Sequence, residues 1–309
     1  MLVDVSTLAT SPHHSIELGH DPRAILAGLE NDQSLFQTGH LRERLIALDD
    51  LDAAFGGSED STECTDPRLH SRANALRTRL EAANTALYQS LRSHIVRRAQ
   101  PPALLCWLQD DSSPNELAQP SSGFAFDWRD ELLSGVLQLN EPYESSPQLS
   151  PEMVPYQPTP VRHILHLLKA IPFSTGDLFV DLGSGLGHVP LLVSMMTGIR
   201  SLGIEVEAAY AVSAQQCAES LNLSHVRFAS QDARLADLSS GTVFYLYSPF
   251  KGSILSDVLR ALEIESSRRP IVICSLGPCT HTIARETWLK TNQLPRTERL
   301  TIFHSHRAH

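Results

Sequence analysis

From Val161 onward, short apolar runs alternate with amphipathic stretches of helical length, and this alternation constrains the fold more than any other feature of the chain. Strands separated by helices cannot pair through tight turns. They lie parallel in one sheet with helices on both faces, and so read as nearly unbroken apolar segments. The spacing predicts helix 161–170, strand 177–182, helix 187–197, strand 200–205, helix 207–221, strands 225–229 and 242–247, helix 252–265, strand 270–275, helix 281–291 and strand 298–305. That order is α/β, with a doubly wound, mostly parallel sheet.

The earlier part of the chain follows a different rule. Residues 22–55 and 68–99 carry apolar side chains at three- and four-residue intervals, the mark of amphipathic helices. In the second stretch Leu69, Leu76, Leu80, Leu87, Leu91 and Ile95 alternate with Arg72, Arg77, Arg79, Arg92, Arg97 and Arg98, which places the arginines on a solvated face. Pro101 and Pro102 stop that helix. Turn-forming residues dominate 110–123, and a short helix is expected from Trp128 to about Leu139. Six prolines between Glu141 and Pro160 then exclude regular structure and make an extended strap. The expected organisation is a mainly helical N-terminal domain over 1–120, a short helix and proline-rich strap over 121–160, and the α/β domain over 161–309.

Charge divides along the same line. The chain carries 25 Lys and Arg against 35 Asp and Glu, and residues 1–150 hold 11 of the former and 22 of the latter, so the acidity belongs to the first part. Such a surface repels phosphate backbones; it disfavours nucleic acid as a partner and suits a cationic protein or a small molecule. No run reaches the ~20 apolar residues of a membrane helix, and Met1 is not followed by the basic and apolar segments of an export signal. A cytoplasmic protein without membrane contact is therefore expected. Cys64, Cys106, Cys217, Cys274 and Cys279 form no Cys-x-x-Cys pair and read as reduced thiols. Histidines His13, His14, His304, His306 and His309 sit at the chain ends and are not expected to hold a metal.

The chemistry concentrates in Leu178-Phe-Val-Asp-Leu-Gly-Ser-Gly-Leu-Gly-His188. An apolar strand ends in Asp181, and Gly183, Gly185 and Gly187 turn the backbone into a helix whose N-terminus faces a ligand. This is not the Gly-x-Gly-x-x-Gly that seats a dinucleotide pyrophosphate, and an acid beside the loop repels phosphate while suiting a cationic amino group and a sulfonium. Glu205 closes a second strand about 20 residues on, the distance at which an acid accepts both ribose hydroxyls, and is preferred to Glu207, expected in the following helix. Asp232 ends the third strand, where it can accept from the exocyclic amine of adenine.

These segments, Val180-Asp-Leu-Gly-Ser-Gly-Leu-Gly, Gly203-Ile-Glu205 and Gln231-Asp-Ala-Arg234, resemble the successive cofactor motifs of class I S-adenosylmethionine-dependent methyltransferases, over about residues 153–309. With the upstream Tyr-x-Pro-Thr, the pattern is similar within that superfamily to the seven-strand protein-lysine methyltransferases, including the non-SET histone-lysine group. The resemblance implies that Tyr156 and Thr159 close over the methionine end of S-adenosylmethionine. It also implies that Asp181, Gly183, Ser184 and Gly185 hold the amino acid portion, and that Glu205, Asp232 and Ala233 hold the nucleoside.

At the fourth strand, Tyr247-Ser-Pro-Phe250 stands where relatives that methylate amide or base nitrogens carry Asn-Pro-Pro-Tyr. Without that Asn a planar amino group loses its paired hydrogen bonds. Tyr247 and Phe250, with Tyr245 as a packing residue, instead offer aromatic walls for an amine acceptor, lysine-like on a protein or part of a small molecule. Cys279 and His281, after the fifth strand, are placed near the same pocket. Two other readings stay open: a non-catalytic module that binds the cofactor for assembly or sensing, and a nicotinamide-linked oxidoreductase, which the glycine spacing opposes.

Overall fold

The computed structural model describes residues 21–56, 66–97, 103–108, 124–139 and 150–306. These divide into two compact units, one ending at Tyr88 and the other beginning at Gln89. The domain boundary expected after residue 120 lies outside the described residues, as do Cys64, His13, His14, His309 and Arg98.

The first unit is built from α1 (Pro22–Asn31), α2 (Leu41–Phe55) and most of α3 (Pro67–Val96). Asp21 caps α1 by accepting from the Arg23 N–H, with Pro22 at the first helical position where its missing N–H costs nothing. Leu26, Leu51, Leu76 and Leu80 meet in one core; fully burying such a side chain contributes about 1.5–3 kcal/mol. The arginines of α3 fall on the expected outward face, and three of them also find partners there. Arg72 pairs with Glu30, Arg77 with Asp52, and the Arg79 guanidinium lies 4.4 Å from the centre of the Phe36 ring. Their aliphatic stems and charges hold the neighbouring elements rather than only facing water.

The second unit contains the end of α3, α4 (Ala103–Leu108), α5 (Trp128–Leu137) and α6 (Val161–Ala170) ahead of the sheet. Asp127 and Asp130 form a capping box at the start of α5, and the other Asp130 oxygen accepts from the Val161 N–H at 2.8 Å, so one carboxylate starts two helices. Burial pushes that carboxyl up to about 6. Arg92, from α3, donates to the carbonyls of Val136 and Leu137 that end α5 and to the Ser220 hydroxyl.

The sheet comprises β1 (Leu178–Leu182), β2 (Arg200–Glu205), β3 (Val226–Ser230), β4 (Val243–Tyr247), β5 (Val272–Leu276), β6 (Leu289–Lys290) and β7 (Thr301–Ser305), in the order β3-β2-β1-β4-β5-β7-β6. The first five are parallel; β7 runs antiparallel to β5, and β6 to β7. Helices α7 (His188–Thr197), α8 (Ala208–Ser220), α9 (Gly252–Arg268) and the short α10 (Cys279–Ile283) follow their strands. Val180, Phe244, Leu246, Val258, Leu262 and Ile273 belong to one core on the sheet. The α/β reading of the sequence is correct, with a helical region before it.

One predicted element is overturned. The helix expected over 281–291 ends at Ile283, the backbone turns through Arg285 and Glu286, and Leu289 pairs with Ser305 as an antiparallel strand. Adjacent Trp288 and Leu289 are both buried, and pairing their segment with β7 satisfies the outer edge of that strand.

Candidate active site

The strand order reverses between β1 and β4, and in open α/β sheets the crevice outside such a reversal, at the carboxyl ends of the strands, binds ligands. A cavity of about 780 Å3 opens there. One end is acidic. Asp181 at the end of β1, Glu205 at the end of β2 and Asp232 just past β3 all line it, with Gly183, Ser184 and Ala233. Gly185 lies just beneath, covered by the Tyr156 ring, which occupies the space a Cβ on residue 185 would need.

Each acid has a distinct setting. Asp181 is 3% exposed, and burial together with the nearby Glu205 charge holds its carboxyl well above the ordinary carboxylate range. Glu205 accepts from the Gly185 N–H at 2.8 Å and from the Glu207 N–H at 2.9 Å, which ties the glycine loop to the end of β2. Both its oxygens keep further acceptor capacity toward the cavity. Asp232 is gripped by Arg234, whose guanidinium holds its carboxyl below the usual range. Glu207, set aside in favour of Glu205, immediately precedes α8 and also faces the cavity, buried, its carboxyl raised by desolvation and by Glu205. The Ser184 hydroxyl is buried without a hydrogen-bond partner in the protein.

The strap crosses this space. Tyr156 Oη and His188 Nδ1 are hydrogen-bonded at 3.0 Å, Tyr156 packs edge-on against Tyr210 with ring centres 5.3 Å apart, and Thr159 Oγ1 lies 3.1 Å from Tyr245 Oη. Burial pushes the His188 imidazole down to about 4, so it is neutral at physiological pH. Upstream, Val154 N–H donates to Pro249 O, Lys251 N–H donates to Glu152 O, and Met153 bridges Phe250, so residues 152–154 are fastened to the loop after β4.

The other end of the cavity is aromatic. Tyr245, Tyr247 and Phe250 line it together with Cys279, and Phe124 stacks on Tyr247 at 5.8 Å between ring centres. Burial pushes the Tyr247 phenol up to about 12 and holds the Tyr245 phenol well above its ordinary value, so neither is an anionic base at neutral pH. The Cys279 thiol is likewise raised by burial. His281 is exposed and does not line the cavity, contrary to expectation: it falls on the outward side of α10. Phe124, Tyr210 and His188 are cavity residues that the sequence did not single out, and Glu207, passed over for Glu205, joins them.

Acids at three consecutive strand ends, an open buried hydroxyl on the glycine loop and a cavity within the usual small-molecule range fit a cationic nucleoside-bearing ligand. With the glycine loop and the seven-stranded order, they give residues 150–306 the sheet and the cofactor crevice of the class I S-adenosylmethionine-dependent methyltransferase fold. The family model described as "Histone methylation protein DOT1" matches residues 152–240, from the strap through the end of β3 and the turn beyond it.

No curated protein sequence matches the chain. Among solved structures it is similar to an RNA methyltransferase from Salinibacter ruber in complex with S-adenosyl-L-homocysteine, at 23% identity over 48% of this chain and 92% of that one, with a TM-score of 0.38. A precorrin-6y C5,15-methyltransferase from Geobacter metallireducens matches at 15% identity over 50% and 93%, with a TM-score of 0.39. A geranyl diphosphate C-methyltransferase from Streptomyces coelicolor matches at 20% over 37%, with a TM-score of 0.31, and the match spans 45% of its length. Likenesses this distant decide nothing about the acceptor. Among the described residues, no helix is long and apolar enough to cross a membrane.

Proposed function

We propose that the protein transfers a methyl group to an amine, a lysine-like side chain of a protein acceptor, at the aromatic end of the cavity. One observation carries the reading: the acid-lined end and the aromatic end belong to one continuous cavity, the first supplied by β1 to β3 and the second by the loop after β4. The name of the matching family, histone methylation, supports a cationic protein as the partner.

S-adenosylmethionine supplies a methyl carbon on a sulfonium; as the new N–C bond forms, the S–C bond breaks and a neutral thioether leaves. Asp181 would hold the cationic methionine portion, with Gly183, Ser184 and Gly185 around it and Tyr156 and Thr159 closing from the strap. Glu205 would accept from the ribose hydroxyls, and Asp232 and Ala233 would bound the adenine. Asp232 keeps its Arg234 partner and uses remaining lone pairs. Tyr247, Phe250 and Phe124 exclude water from the acceptor stem. Desolvation lowers the pKa of an amine and so helps it lose the proton it must shed, and alignment supplies much of the rate, on the order of 7–11 kcal/mol in favourable cases.

Calorimetric titration with S-adenosylmethionine, followed by transfer of labelled methyl groups to a core-histone mixture and to polylysine, tests the reading. Binding and transfer to the ε-amine are expected. Binding without transfer to either probe would overturn the acceptor class while leaving the cofactor site standing.

A further inference from the structure

The loop after β4 is wedged between two neighbouring strand ends. Ser248 has φ of +42°, in the left-handed region, where a non-glycine residue is uncommon. Its buried hydroxyl donates to Leu276 O at 3.1 Å and accepts from the Cys279 N–H at 2.9 Å, both on the exit from β5. The hydroxyl fits because residue 277 is glycine: a Cβ there would lie 2.5 Å from Ser248 Oγ. On the other side Pro249 fills the space that a Cβ on Gly183 would need, 2.2 Å from the Pro249 Cβ. Phe250 is held in turn by its bridge to Met153. Three successive residues after Tyr247 are thus fastened to three different segments: the β5 exit, the β1 exit and the strap.

We infer that Ser248 is a positioning residue for the methyl acceptor. Its hydroxyl, seated over Gly277, holds the left-handed turn that presents Tyr247 and Phe250 to the cavity, and it takes no part in holding the nucleoside. The inference rests on the aromatic end being the acceptor end. Backbone strain of this kind persists only where its surroundings over-determine it, and here two hydrogen bonds and a missing Cβ do so. Without the hydroxyl the turn keeps its covalent path but loses the bonds that set its register against β5, and displacements near 1 Å can cost roughly 100-fold in rate.

Ser248→Gly tests this, because glycine tolerates the left-handed backbone while the hydroxymethyl group and its two hydrogen bonds are lost. Methyl transfer to the core-histone mixture should fall at least about tenfold, while the dissociation constant for S-adenosylmethionine stays within about twofold. Amide exchange at Cys279 should accelerate, with the amides of Gly183–Gly187 unchanged. Gly277→Ala, which drives a methyl group into the hydroxyl, should show the same split between turnover and cofactor affinity. Unchanged turnover in Ser248→Gly, or cofactor affinity falling as far as turnover, would overturn the role. Wild-type protein inert toward lysine probes would sink the acceptor reading instead, whereas unchanged exchange at Cys279 in Ser248→Gly would sink the positioning role whatever the acceptor is.

Discussion

The two ends of the cavity are held by opposite means. At the acidic end the side chains that face the cavity also hold the protein together: Glu205 accepts from the Gly185 N–H of the glycine loop and from the Glu207 N–H beyond β2, and Asp232 is locked to Arg234. At the aromatic end the side chains facing the cavity make few polar bonds, and backbone and hydroxyl contacts behind them, at Ser248, Pro249 and Met153, set their place. The acidic end is therefore preorganised by the side chains that line it and the aromatic end by the contacts behind it. Substitutions should separate the two: at the first, binding and local order fail together; at the second, turnover fails while binding survives.

The largest expected effect is at Tyr247. Tyr247→Ala removes the wall on which Phe124 stacks and should lower turnover by roughly 10- to 100-fold with cofactor affinity nearly unchanged. Paired turnover assays and cofactor titrations check it, and a parallel loss of affinity would erase the distinction between the ends. Next, Glu205→Ala should weaken S-adenosylmethionine binding at least about tenfold, since charged hydrogen bonds contribute about 1.5–3 kcal/mol, and should also speed amide exchange at Gly185, which the carboxylate now protects. Unaltered affinity in the folded variant would remove Glu205 from the cofactor contacts.

A smaller effect is expected from pH. The carboxyl of Asp181 is raised, and a cationic ligand binds its ionised form. Affinity should therefore be full at high pH and decline on acidification through a value above the ordinary 3.8. Asp181→Asn should flatten this dependence; an equal slope in wild type and variant, measured by titration calorimetry, would assign the proton elsewhere. Smallest is the strap. Its start is already fastened to the β4 loop, so saturating cofactor should slow amide exchange across residues 154–159 only a few-fold, through Tyr156 and Thr159 closing further. Identical exchange with and without cofactor would mean that the strap is a fixed wall.

The features legible in the sequence were those written in local periodicity or in short spacings. Apolar alternation from Val161 located the parallel strands, and Asp181, Glu205 and Asp232 could be placed because strand ends in such a sheet converge on one edge. Contacts between distant segments left no such trace. Phe124 reaches Tyr247 across more than a hundred residues, Thr159 reaches Tyr245 from the strap, and neither partner's neighbourhood signals the other. Strand β6, two residues long, is too short to show alternation, and the apolar Ile283, Trp288 and Leu289 imitated helical spacing. The row of arginines on α3 shows the converse: periodicity identified the outward face correctly, but could not reveal that Glu30, Asp52 and Phe36 wait opposite it.

The left-handed turn at Ser248 also limits how this enzyme's specificity can be rewritten. Exchanging Tyr247-Ser-Pro-Phe250 for Asn-Pro-Pro-Tyr would put proline at position 248, whose ring locks φ near −65° and cannot follow the +42° found there. The grafted loop would have to leave by another path, withdrawing Pro249 from Gly183 and abandoning the pocket above Gly277. A loop of another sequence at this place is therefore expected to require matching changes at the β5 exit, where Leu276, Gly277 and Cys279 are fitted to the Ser248 hydroxyl.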